Sequence, residues 1–221
     1  MNIIKGLMTK DLLQLKSYRK SLIVFIVIYF FIAISQSNIE GISAMLVVML
    51  TLGFGMFSIA TFNYDESSKA DKYILTLPLT KKEVVLSKYA FCICSTLIGC
   101  IIGIILSFII TFIITKAIPN ILDILSIGIG AIFGISVVEA IQIPCIYKWG
   151  AEKGRLNMFI LVVLASLILG GISFVAFDIT QVNNVIGLIE KIIPIILLIA
   201  IFLVYFTSYK VSCKIYSKRE L

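Results

Sequence analysis

Apolar runs long enough to cross a bilayer recur along this chain between short polar breaks, and that alternation restricts the fold more than any other feature. A helical span needs roughly 20 apolar residues to cross a hydrocarbon core of about 30 Å, and a helix satisfies its own backbone hydrogen bonds there. The runs cover 21–34, 42–62, 89–115, 122–147, 156–177 and 191–209. They predict an all-α integral membrane protein with six transmembrane helices in one transmembrane domain, 1–221. The first run is the shortest and draws on Ser35 and its neighbours to span. At 60% hydrophobic and 14% charged residues, with a mean hydropathy of +1.11, the chain has too little polar surface to clothe a soluble globule of 221 residues.

Before the first run, residues 2–20 place Ile4, Leu7, Met8, Leu12 and Leu15 at helical spacing, with Lys5, Lys10, Gln14 and Lys16 mostly elsewhere on the wheel. That pattern predicts an amphipathic helix lying on the membrane surface. It is not the pattern of a cleavable signal peptide, and no small-residue cleavage pattern follows the first apolar run, so that run is expected to stay in the mature protein.

Sorting the basic residues by loop gives the orientation. Of the 19 Lys and Arg residues, 17 fall before the first span, in 63–89, in 148–155 or in the tail 210–221, and only Lys116 and Lys191 fall in the alternate loops. Both termini and the loops 63–89 and 148–155 are therefore expected on the cytoplasmic side. The net charge of +7 reads as this orientation signal and not as a nucleic-acid surface, because the basic residues are dispersed and form no patch with interleaved aromatics.

Several chemistries are excluded by what the sequence lacks. With no histidine, catalytic triads and histidine metal sites cannot be built. Five cysteines, Cys92, Cys94, Cys100, Cys145 and Cys213, show no paired metal-ligand spacing and read as reduced packing residues. No catalytic residue and no metal ligand is assigned. No Gly-rich phosphate loop ending in Gly-Lys-Ser/Thr is present, so any ATP is bound by another polypeptide.

The one long polar insertion, 63–89, is not a plain linker. Its charged residues Asp65, Glu66, Lys69, Asp71, Lys72, Lys81, Lys82, Glu83 and Lys88 surround an apolar group at Tyr73, Ile74, Leu75, Leu77 and Leu79. Pro78 ends any helix arriving before it, and Thr80 with Glu83 three residues on has the form of a capping box that opens the next helix. A short structured element, a turn and a new helix follow from this reading, and such an element suits a docking partner.

Within the spans, Gly99 with Gly103 and Gly130 with Gly134 place small residues one turn apart, either as close helix contacts or as ordinary membrane glycines. Glu139 is the one acid well inside an apolar run, at roughly 13 Å of helix rise from Lys148. An acid there either faces a bundle interior or watery path, or is a carboxylate near the interface bonded to Gln142 or another neighbour.

The stretch Asp65–Tyr89, with Asp71-Lys72-Tyr73-Ile74-Leu75-Thr76-Leu77-Pro78-Leu79-Thr80 at its centre, and the stretch Ile143–Arg155 resemble the permease subunits of type-2 ATP-binding-cassette exporters. The likeness is to the small bacterial group that includes exporters of amphipathic, phenol-soluble-modulin-like peptides. The general plan covers the whole chain, and the motifs lie in those two stretches. The resemblance implies a bacterial inner-membrane permease paired with a second copy or a sister permease. Two separate ATPase subunits would carry ATP and Mg, with no cofactor on this chain. It also implies a coupling helix in 63–89, with Asp65, Glu66, Asp71, Lys72 and Glu83 as polar contacts and Tyr73, Leu77 and Pro78 in its apolar anchor. Glu139, Lys148, Glu152 and Lys153 would border the substrate path. The lack of a large outer loop between the last spans points to an amphipathic peptide or lipid-like cargo. The alternative from another class is a membrane immunity or binding protein that captures a toxic peptide without pumping.

Overall fold

The computed structural model describes residues 2–34, 39–74, 76, 79–116, 120–154 and 186–218. Every regular element among them is helical. Helix α1 (Asn2–Leu15) leads through a 3-10 turn (Lys16–Tyr18) into α2 (Arg19–Ile34), followed by α3 (Ile39–Ser67), α4 (Ala70–Ile74), α5 (Lys81–Thr115), α6 (Ile121–Trp149) and α7 (Ile186–Ser217). Among the described residues, four helical stretches are long and apolar enough to cross a membrane: Gly41–Ser67, Lys81–Ile114, Ile121–Trp149 and Ile196–Ser217. The expected first span corresponds to α2, whose 16 residues rise about 24 Å and fall short of a full hydrocarbon core. The expected fifth span, 156–177, lies outside the described residues, as do Leu75, Leu77, Pro78 and 178–185.

The bundle is patterned for lipid. Along α5 the exposed row is Ile93, Leu97, Ile101, Ile105, Ile109 and Phe112, whereas Ser95, Thr96, Ser107 and Thr111 are buried. Large apolar side chains face outward and small hydroxyls face neighbouring helices, because lipid tails give helices no hydrophobic reason to associate, and close packing and hydrogen bonds must do so instead. Ser95 illustrates this by donating to the Phe54 carbonyl of α3 at 2.8 Å.

The two glycine pairs separate cleanly. A Cβ on Gly99 would lie 2.6 Å from Phe54 Cβ, and one on Gly103 would lie 2.9 Å from Val47 Cα, so this pair is the seam that lets α5 close on α3. Around Gly130 and Gly134 a Cβ would meet nothing within 4 Å, so that pair makes no close helix contact among the described residues.

Helices run further than the apolar runs suggested. Residues 63–67 continue α3 and 81–88 open α5, which reduces the connection between them to 68–80 around the short α4. The tail read as 210–221 is helical to Ser217. The reason is a stripe at spacings of three and four, Tyr205, Ser208, Ser212 and Tyr216, all buried, while Lys210 and Lys214 point outward. Helix α1 also departs from a simple surface helix: it packs on α3 and α5. Leu7 is buried, but Leu12 and Leu13 are 55% and 68% exposed. The inward face carries Asp11, which is fully buried.

The largest core cluster lies at this charged end. It joins Leu7 of α1, Phe62 of α3, Ile74 of α4, Val84 and Val85 of α5, Ile146 and Tyr147 of α6, and Tyr216 of α7. Ala70, Ile74 and Leu79 of the polar connection are thus seated on packed helices.

Candidate functional site

Both ends of the polar connection are held by one cluster of four charges. Lys88, near the start of α5, places Nζ 2.8 Å from Asp11 Oδ1 and 2.6 Å from Asp65 Oδ2, at the end of α3. Lys10 donates to Asp65 Oδ1 at 2.8 Å, and Gln14 donates to the same oxygen at 2.7 Å. Lys88 also stands over the Phe62 ring, 5.0 Å from its centroid. Two lysines balance two aspartates, so the group is neutral as a whole and can be buried, although taking each charge from water separately is costly. The cluster clamps the ends of α3 and α5 to each other and to α1.

Beside the clamp, the two motif stretches meet. Helix α6 ends at Trp149, where Gly150 adopts φ +87°, a conformation that favours glycine. The chain turns there and residues 151–154 are helical. Glu66 caps this new start: its Oε2 accepts a hydrogen bond from the Ala151 N–H. A small cavity of about 40 Å³ lies at this junction, lined by residues including Phe62, Asp65, Glu66, Lys88, Tyr147 and Gly150.

The connection itself is also held at its far end. Thr80 accepts from the Glu83 N–H at 3.3 Å, and Glu83 Oε2 accepts from the Thr80 N–H at 2.8 Å, which completes the capping box expected from the sequence. Ile74 is buried and Leu79 packs on the same core, while Tyr73 between the clamped ends is 73% exposed.

Deeper in the bundle, Glu139 is fully buried where α3, α5, α6 and α7 meet. Tyr205 donates its hydroxyl to Oε2. Thr96 reaches Oε1 at 3.1 Å but shares its single proton with the Cys92 carbonyl at 2.9 Å. Ser58 lies 3.5 Å from Oε1 and spends its proton on the Gly55 carbonyl at 2.5 Å. Gly55 opens the space, since a Cβ there would lie 3.1 Å from Oε1. Among the described residues no basic side chain pairs with Glu139.

One turn along α6, Pro144 sits inside the helix and has no N–H for the Ala140 carbonyl. Ser208 of α7 supplies the missing donor at 2.5 Å. The Tyr89 hydroxyl of α5 bonds with Ser208 at 2.5 Å and with Ser212 at 2.7 Å, so a helix irregularity in α6 becomes a polar tie among three helices.

The family model for the ABC-2 family transporter protein matches residues 6–217 of this chain. The chain belongs to that family. No curated protein and no solved structure matches it. As an ABC-2 permease it is the transmembrane subunit of an ATP-binding-cassette exporter, a multi-pass membrane component whose family implies an ATPase partner.

The residues expected to do its work are dispersed by the permease's fold. Asp65 is 6% exposed and turned into the clamp, and Glu66 is bound to the Ala151 N–H, so both make contacts within the protomer. Glu83 serves the capping box, and Tyr73 is free at the surface. The backbone of Asp71 and Lys72 belongs to α4, but their side chains lie outside the described residues, as do Leu77 and Pro78. Lys148, Glu152 and Lys153 are exposed at the α6 end, whereas Glu139 is deep in the bundle and separate from them. Lys148 lies over the Trp149 ring at 4.7 Å. The fold adds Lys10, Asp11, Lys88, Thr96, Tyr205 and Ser208. Two of these left traces in the sequence: Asp11 lies four residues from Leu7 on one face of α1, and Ser208 belongs to the α7 stripe.

Proposed function

We propose that the chain is the permease half of an ATP-driven exporter in which a separate ATPase grips α4 and its flanks, with ATP and Mg held on that partner. The observation that carries this reading is a short element clamped at both ends and exposed between them. The Asp11–Lys88–Asp65 cluster and the Thr80–Glu83 capping box hold its base, Ile74 and Leu79 seat it, and Tyr73 projects outward. A push on such an element is delivered to the α3 and α5 ends through the charge cluster and the capping box. On this reading six spans cross the bacterial inner membrane with both termini on the cytoplasmic side, and two permeases, identical or sisters, form the pathway. The cargo is an amphipathic peptide or lipid-like molecule drawn from the inner leaflet, and alternating access moves it outward.

The test is co-purification of the chain with its ATPase in detergent, followed by the ATPase rate and export of amphipathic peptide in vesicles. Tyr73→Ala and Glu83→Lys are expected to weaken the complex and lower export while insertion of the permease persists. Wild-type export in both variants, or protection against peptide that persists without ATP, would instead support the non-pumping immunity or binding protein.

A further inference from the structure

We propose that the groove between α5, α6 and α7 is a binding site for a cationic amphiphile, with Glu139 behind its wall as the counter-charge. The inference deepens the exporter reading and rests on it for the cargo's fate, but the site stands on geometry of its own. The groove encloses about 530 Å³, and its walls include Ile93, Leu97, Ile132, Phe202, Phe206 and Tyr209. That volume falls in the range of about 300–1,000 Å³ common for small-ligand pockets.

Two further wall residues connect it to the buried acid. Thr96 and Tyr205 both line the groove, and both direct a hydroxyl at Glu139. A single layer of side chains therefore separates the apolar space from a carboxylate that no described basic residue neutralises. A carboxylate accepts at about four lone-pair positions. Among the described donors only the Tyr205 proton is undivided, since Thr96 and Ser58 also donate to backbone carbonyls. In an interior of low dielectric the ionised form of such an acid favours a nearby cation strongly, and an approaching anion is disfavoured by the same field.

The aromatic wall adds to this selection. Rings of Tyr89, Tyr205, Tyr209, Phe202 and Phe206 border the groove, and a cation is attracted to an aromatic face within about 6 Å. Lys210 already uses the Phe206 ring in this way, with Nζ 4.3 Å from the centroid. It lies five residues beyond Tyr205, roughly 7.5 Å of helix rise towards the charged end. An alkylammonium seated on Tyr205, with its chain along Ile93 and Leu97, would have both its charge and its apolar length matched.

The experiment uses the permease–ATPase complex in nanodiscs of zwitterionic lipid, without nucleotide. Saturable binding is measured by equilibrium dialysis for dodecyltrimethylammonium, an uncharged dodecyl glycoside and dodecyl sulfate. The wild type is expected to prefer the cation to the sulfate by at least tenfold. Glu139→Gln keeps the size and hydrogen-bonding capacity of the side chain, and is expected to weaken cation binding tenfold or more while the glycoside binds as before. Ile93→Trp fills the groove and is expected to remove both. Equal cation binding in wild type and Glu139→Gln overturns the proposal, as does a wild type with no saturable binding. Charge-selective binding by a chain that does not stimulate its ATPase would sink the exporter reading and leave the site standing. A coupled ATPase with charge-blind binding would do the reverse.

Discussion

Replacing Lys88 by Met tests the charge clamp most directly. Its Nζ contacts Asp11 and Asp65, whose side chains are 1% and 8% exposed, and its own side chain is 6% exposed. In the variant the one described cation left to those two aspartates is Lys10, which lies 2.8 Å from Asp65 but 3.4 Å from Asp11 and is itself 31% exposed. The buried cluster passes from neutral to one net negative charge. Removing one partner of a buried ion pair costs about 3–5 kcal/mol, chiefly because the remaining charge is left uncompensated. Lys88→Met is therefore expected to destabilise by about that amount, a factor of roughly 10² to 10³ or more in the unfolding equilibrium. The decisive comparison is the double variant Asp11→Asn with Lys88→Met, which leaves Asp65 paired with Lys10 and the cluster neutral again. It is expected to recover about 1–2 kcal/mol relative to Lys88→Met alone, the sign that separates uncompensated charge from lost packing. Unfolding titrations with SDS in mixed micelles, followed by circular dichroism, would measure all three proteins. A double variant less stable than Lys88→Met would refute the reasoning.

Three other perturbations probe the remaining joints. Gly150→Ala forces a Cβ to within 2.7 Å of Glu66 Oε1 at φ +87°, and is expected to cost about 1–3 kcal/mol and to speed proteolysis near residue 150; unchanged proteolysis and unfolding would remove Glu66 as the cap of 151–154. Ser208→Ala leaves the Ala140 carbonyl without its donor and is expected to cost about 1–3 kcal/mol. In a Pro144→Ala background, where residue 144 regains its N–H, the same change should cost under ~1 kcal/mol; equal costs in both backgrounds, by the same titration, would break the link to proline. Gly103→Leu is expected to prevent α5 from closing on α3 and to abolish folded yield, whereas Gly134→Leu should leave the protomer's unfolding midpoint within about 0.5 kcal/mol of wild type; size-exclusion recovery and the SDS titration distinguish the two, and equal loss from both would contradict the assigned seam.

The long apolar helices and the Thr80–Glu83 capping box were legible in the sequence, whereas the packing of Ile74 and Leu79 on this chain's own core, and the choice of Gly99 with Gly103 over Gly130 with Gly134 as the close contact with α3, were not. The helices and the box depend on neighbours within a turn or two, or on a bilayer that acts as a uniform solvent along the chain, so hydropathy and spacing suffice to read them. Glu139 was marked as unusual for the same reason: an acid in an apolar run is a local anomaly. Its partners were not legible. Thr96 and Tyr205 are 43 and 66 residues away in the chain, and an ordinary threonine or tyrosine in a membrane helix carries no sign of what it faces. Asp65 belonged to the apparent surface of a polar insertion, yet tertiary packing turned it towards Lys10 and Lys88. Local patterns determined which stretches of this ABC-2 permease are helical and which connection is unusual. Only the packed bundle decided which charges are spent internally and which remain exposed, because that depends on the rotation of α1, α3 and α5 about their own axes until distant faces meet.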